Sequence, residues 1–95
     1  MSVTFAAYNV TADEFADVED INVNNSNAAR ILRALGFDDE VSLGDLCGST
    51  SARDFQARVV LARRFPRDDY MTGRLDDLFR LASAARAADC VVSWA

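Results

Sequence analysis

The stretch Asn24-Asn25-Ser26-Asn27-Ala28-Ala29-Arg30-Ile31-Leu32-Arg33-Ala34-Leu35-Gly36-Phe37 carries the clearest structural signal in the chain. Ala28, Ile31, Leu32 and Leu35 recur at i, i+3, i+4 and i+7, the spacing of one helical face, while Arg30 and Arg33 project from the other side. Ser26 is a helix-capping residue type, and Gly36 suits the left-handed position just past a helix end. Phe37 supplies the apolar contact that often follows such a glycine. One amphipathic helix is therefore expected, capped by Ser26 and closed by Gly36.

Towards the N-terminus, Val3-Thr4-Phe5-Ala6-Ala7-Tyr8 alternates large and small side chains and suits a half-buried strand. Thr11-Ala12-Asp13-Glu14 has the T-x-x-E spacing of a capping box, and with Phe15 and Val18 it predicts a short helical turn. Ile21-Asn22-Val23 is a second short strand. Towards the C-terminus, residues 38–50 hold two glycines, four acids and three hydroxyls, which reads as an ordered loop with Val41, Leu43 and Leu46 tucked inward. Ser51 and Asp54 open a second helix that Pro66 stops. Phe55, Val59, Val60, Leu61, Ala62 and Phe65 lie nearly all round it, as expected of a central helix or one at an interface.

A third helix is expected from about Thr72 to Ala88, with Leu75, Leu78, Phe79, Leu81, Ala82 and Ala85 on one stripe and an Asp76–Arg80 pair at i, i+4. Cys90-Val91-Val92-Ser93-Trp94-Ala95 then reads as a strand. A helix followed at once by a buried strand is half of a βαβ unit, which sets this strand beside an N-terminal one. The expected fold is α+β in a single domain spanning 1–95: three main helices, the second central, on a small sheet of two to three short strands that includes both terminal segments.

The 95 residues are 51% hydrophobic and 26% charged, a globular composition. A chain this short buries only about 60–65% of its unfolded surface, so a second layer or a second copy would help it. No apolar run approaches the ~20 residues of a membrane span, and Ser2 follows Met1 without a basic or apolar leader, so no membrane association is expected. Cys47 and Cys90 are far apart and read as small buried hydrophobes, consistent with a cytoplasmic setting.

The net charge is −5. Residues 1–48 carry nine acids and two arginines (−7), and residues 49–95 carry six acids and eight arginines (+2). That balance argues against nucleic-acid binding. Arg74, Arg80 and Arg86 lie about 120° apart on the third helix and make no basic face. The acidic first half suggests, as an alternative, a nucleic-acid mimic, but Arg30 and Arg33 interrupt it.

Histidine is absent, which removes the usual general base and the commonest transition-metal ligand. Cys47-Gly48-Ser49-Thr50-Ser51-Ala52-Arg53 fits C-x5-R, the spacing of a phosphatase loop in which a thiolate attacks phosphorus and an Arg clamps the oxygens. Against it stand Asp54, which would repel phosphate, and the absence of a buried strand before Cys47. The phosphatase-like enzyme is the alternative reading, and a capped loop with a buried Cys47 is the expected one. Asp38-Asp39-Glu40 with Asp45 lacks the ligand spacing of an EF-hand and reads as solvated acids. Asn22, Asn24, Asn25 and Asn27 read as capping residues, with anion or peptide-backbone binding as the alternative. Trp94 is either core or an interface anchor. No catalytic, metal or cofactor residue is assigned.

The pieces NVNNSNAARILRALG, DLCGSTSARDFQARVVLA and RLDDLFRLASAARAADCVVSWA resemble a group of small uncharacterised proteins of actinobacteria and their phages. Asn24, Ser26, Asn27, Ala28, Gly48, Ala52, Asp54, Phe55, Val92, Trp94 and Ala95 carry the likeness, over about residues 21–95. The resemblance implies a host or phage accessory protein and no chemistry, in agreement with a GC-rich composition of ten Arg, no Lys and sixteen Ala. The functional expectation is a non-enzymatic interaction protein that binds a protein partner or itself, as a homodimer for example. Phe55, Val59 and Ala62 share one side of the second helix and Leu61 and Phe65 another; one side faces the sheet, and the other is either covered by the first and third helices or left as a contact surface. Acidic surroundings there would favour an Arg- or Lys-bearing partner.

Overall fold

The computed structural model describes residues 1–44, 46–65 and 67–95. In chain order the elements are β1 (Ser2–Asn9), β2 (Glu14–Phe15), β3 (Ile21–Asn24), α1 (Asn25–Ala34), α2 (Asp38–Ser42), β4 (Gly48–Ser51), α3 (Ala52–Ala62), α4 (Asp69–Ala87) and β5 (Val91–Trp94). The sheet runs β2-β1-β5-β4, and β3 pairs with the first half of β1 on the side where β2 pairs with its end. Every pairing is antiparallel. The fold is α+β with both terminal segments in the sheet, as expected. The sheet has five strands where two to three were expected, and α2 is an additional helix.

The terminal strands are neighbours, Phe5 opposite Trp94 and Tyr8 opposite Val91, but they run antiparallel and do not complete a βαβ unit. The reason is that α3 and α4 form a helical hairpin. With two helices between β4 and β5 the direction alternates at each of three junctions, so β5 enters the sheet against both β4 and β1.

Alternation along the strands divides the sheet into two faces. Val3, Phe5, Ala7, Val23, Val92 and Trp94 are buried and join one core cluster with the helices. Ser2, Thr4, Asn22, Ser49, Ser51 and Ser93 occupy the opposite face, and Asn22 donates to the hydroxyls of Ser2 (3.1 Å) and Thr4 (2.8 Å) across it. The place assigned to α3 belongs to α4, which lies over β1 and β5 and buries Met71, Leu75, Leu78, Leu81, Ala82 and Ala85. α3 flanks it at the β4 edge and buries only Ala52, Phe55, Val59 and Ala62.

Three further expectations are corrected. Residues 11–18 form no helical turn. Asn9 accepts the Ala12 amide (3.0 Å), Asp13 adopts a left-handed φ of 54°, and the chain returns so that Phe15 pairs with Tyr8. Asp tolerates that backbone region better than most residues, so it serves the turn. The loop at 38–50 contains α2 and β4; Val41 is buried and Leu46 partly so, but Leu43 is exposed. Three acids in the first turn of α2 favour that short helix through its dipole. α4 begins at Asp69, where the Asp68 carboxylate accepts the Met71 amide (2.8 Å), a turn earlier than expected. The expected role of Pro66 lies outside the described residues.

The α1 reading holds apart from its cap. Asn24, not Ser26, accepts the Asn27 amide (2.9 Å), and Ser26 donates to Asn24 from within the first turn. Gly36 is left-handed (φ 89°), and the Phe37 amide reaches back to Leu32 O (2.9 Å), which satisfies a carbonyl of the last turn. Ser51 caps α3 by accepting the Asp54 amide (3.0 Å), as its spacing predicted.

Leu32 is 1% exposed, so Leu32→Ala is expected to cost about 2–5 kcal/mol in chemical unfolding; a loss below about 1 kcal/mol would contradict its place in the core. At Gly48 an added Cβ would lie 2.9 Å from the Trp94 ring. Gly48→Ala is expected to destabilise by about 1–3 kcal/mol and to shift the emission of Trp94, the sole tryptophan.

Candidate functional site

The C-x5-R segment is not folded as an anion cradle. Gly48–Ser51 are β4, paired residue by residue with β5. Amides along a strand point alternately to either side, so they do not converge in front of the Cys47 sulfur. Cys47 lies at the start of the strand and Arg53 beyond its end, and at ~3.3 Å per residue the strand keeps them apart. Cys47 is exposed, contrary to the buried position expected, because it precedes an edge strand and Leu46 takes the partly buried place. Cys90 is buried as expected.

Asp54, which weighed against phosphate, has a structural task. Its carboxylate accepts from the Thr50 hydroxyl (2.8 Å) and from Arg58 Nε (2.8 Å). Arg58 in turn donates through Nη1 to Leu35 O (2.8 Å) at the end of α1 and stacks over the Phe37 ring at 4.3 Å. The Arg58 hydrogen bond, then that of Thr50, holds the Asp54 carboxyl below its ordinary range.

The asparagines do not form one site. Asn22 bridges hydroxyls on the sheet, Asn24 caps α1, and Asn27 accepts a long contact from Arg30 (3.5 Å). Arg30 continues to Asp68 (2.5 Å), which ties the middle of α1 to the start of α4 and helps lower the Asp68 carboxyl, after the Met71 amide. Asp38, Asp39 and Glu40 are the first turn of α2, and Asp45 lies outside the described residues. Among the described residues no three acids or cysteines gather as a metal site requires. Asp77 takes both Arg74 (3.2 Å) and Arg80, while Asp76 pairs with Arg63 of the preceding hairpin arm (3.1 Å). The expected Asp76–Arg80 pair is replaced because each has a nearer partner.

The least satisfied feature is on α3 and the turn after it. Leu61 is 55% exposed and Phe65 56%, with Val60 beside them. Residues 53–67 hold five arginines and one acid, a local charge of +4. Arg67 lies over the Phe65 ring (5.9 Å), and Arg63 lies over Phe79 (5.0 Å). With Asp76 also lining the cleft beside Phe65 and paired to Arg63, the surroundings of this apolar patch are mixed but more basic than acidic. Counting charge by halves hid the cluster, because the acids of α4 cancel it.

A second exposed apolar strip arises because Phe15 lies in a strand and not in the helical turn that its spacing predicts. Val10 is 63% and Phe15 65% exposed, the latter held edge-on against Tyr8 at 5.2 Å. The Tyr8 hydroxyl bonds Asp13, and that bond raises its pKa above the ordinary phenol value. The turn-forming Asn9 and Asp13 flanking Val10-Thr11-Ala12 were the available signal.

Among the described residues no helix is long and apolar enough to cross a membrane. Comparison with models of known families, with curated proteins and with solved structures finds no match.

Because Asp54 is held below the carboxylate value of the unfolded chain, its contribution is full above about pH 5 and is lost as pH falls through its folded value. The stability difference between the wild type and Asp54→Asn is expected to shrink on acidification from neutrality; a difference constant down to about pH 2 would contradict the Thr50–Asp54–Arg58 link.

Proposed function

We propose that this protein is a small non-enzymatic, cytoplasmic interaction protein, an accessory of a phage or actinobacterium, and that it holds its protein partner on the outer side of α3. The observation that carries the reading is the exposure of Leu61 and Phe65 among arginines. A chain of this size gains by covering such side chains, and apolar patches rimmed by charge are typical of protein interfaces. The partner that suits it is an acidic segment with apolar side chains: apolar contact supplies affinity, and the arginines supply steering and register. The net charge of −5 over the whole chain disfavours a phosphate backbone. The commitment of Gly48–Ser51 to β4 supports the non-enzymatic reading over a phosphatase-like loop.

The test is binding of a labelled amphipathic peptide built of glutamate and leucine, read by fluorescence anisotropy. The wild type is expected to bind it, and Leu61→Glu with Phe65→Glu to weaken binding about tenfold or more with an unchanged circular dichroism spectrum. Equal binding by the wild type and the folded variant would overturn the reading.

A further inference from the structure

Resting on that reading of α3, we infer that its occupant is a second copy of this chain, docked head to tail through residues 10–20. Residues 13–20 carry five acids and no arginine, a charge of −5 against the +4 of residues 53–67. The same segment presents apolar surface. Phe15, Ala16 and Val18, with Ala6 of β1, wall a groove of about 260 Å³ on the sheet face opposite the helices, and Asp20 stands on its rim. The strip is a shaped feature: Phe15 is braced by Tyr8, and the turn before it is pinned by Asp13 and Asn9. One edge of the molecule thus offers an apolar groove lined by Asp20 within an acidic segment, beside a cleft that Glu19 and Asp20 share with Arg74 and Arg80, and the other offers Leu61 and Phe65 projecting among arginines. Each has the shape and charge the other lacks.

Position dictates the symmetry. Phe15, Ala16 and Val18 lie beside β1 on the open face of the sheet, whereas α3 packs beside β4 at the opposite end of the strand order; Val10 and Thr11 approach only the start of α3, at Ala52 and Arg53, and Leu61 lies at its other end. With the two surfaces on opposite edges, one partner cannot satisfy both at once. The contact is heterologous, and association continues into a ring or an open row of subunits instead of stopping at a two-fold dimer. Because charge supplies much of the steering, association weakens with salt.

Two variants isolate the two surfaces. Leu61→Glu with Phe65→Glu removes the knob and leaves the groove; Phe15→Arg with Glu19→Arg removes the groove and leaves the knob. In sedimentation velocity at low salt (about 0.01 M, where charges act over ~30 Å), the wild type is expected to grow beyond a dimer with concentration. Each variant alone is expected to stay monomeric, and their equimolar mixture to stop at a dimer, since only one intact groove meets one intact knob. Raising the salt to about 1 M is expected to weaken association about tenfold or more. Circular dichroism checks folding, and Phe15→Ser replaces the double arginine variant if that one fails to fold. A wild type that is monomeric up to about 1 mM, or folded variants whose mixture forms no dimer, would overturn the proposal. If the acidic peptide still binds α3 in that case, the docking surface stands and only its occupant is wrong; if it does not, both readings fall.

Discussion

The indole of Trp94 lies against Gly48 on the neighbouring strand, and the rest of the core is arranged around that contact. A side chain at residue 48 would put a Cβ 2.9 Å from the ring. With none there, the indole lies flat over β4 and meets Phe5 (6.0 Å), Phe37 (5.0 Å) and Phe55 (5.9 Å). Those rings come from β1, the turn after α1, and α3, so one side chain near the C-terminus links parts of the fold far apart in sequence. Each aromatic pair contributes about 0.5–1.5 kcal/mol beyond its burial, a large share of the margin for a domain this small. Gly48, Phe55 and Trp94, among the residues singled out in sequence for a family likeness, meet here and explain one another by packing.

Around this cluster the polar groups serve position. Arg58 links the end of α1 to α3 by donating to Leu35 O while its plane lies on Phe37, and Asp54 and Thr50 hold it there. From the middle of α1, Arg30 reaches Asp68 at the start of α4. These contacts are half exposed, so each adds little energy, but together they fix helix orientation. No buried side-chain polar atom among the described residues lacks a partner, so the interior holds no unspent chemistry. What remains unsatisfied is on the surface: a basic apolar helix at one edge and an acidic apolar strip at the other.

How much could be read in advance follows from the range of the forces involved. The face of α1, its glycine stop, the Ser51 cap and the terminal strands were legible because periodicity and capping act within a few residues. The antiparallel β1–β5 pairing was not, because it depends on α3 and α4 forming one hairpin. The span 11–18 was misread because Thr11 and Glu14 offer a capping-box spacing, whereas Asn9 and Asp13 closed a turn and Tyr8 drew Phe15 into a strand. That Leu61 and Phe65 share a side of α3 apart from Phe55 and Val59 was legible; that this side stays bare was not, because α1 and α4 could have covered it. Nor was the sign of the charge around them, since it comes from Arg63, Arg64 and Arg67 and is masked in a sum over the whole second half.

The central claim is that two oppositely charged apolar surfaces of one chain recognise each other. Amide chemical shifts followed by NMR through a dilution series at low salt address it most directly. Resonances of Phe15, Glu19, Leu61 and Phe65 are expected to move together along a single binding curve, while those of Leu32, Gly48 and Trp94 stay fixed. Shifts confined to the β4 edge, or shifts in only one of the two surfaces, would contradict it.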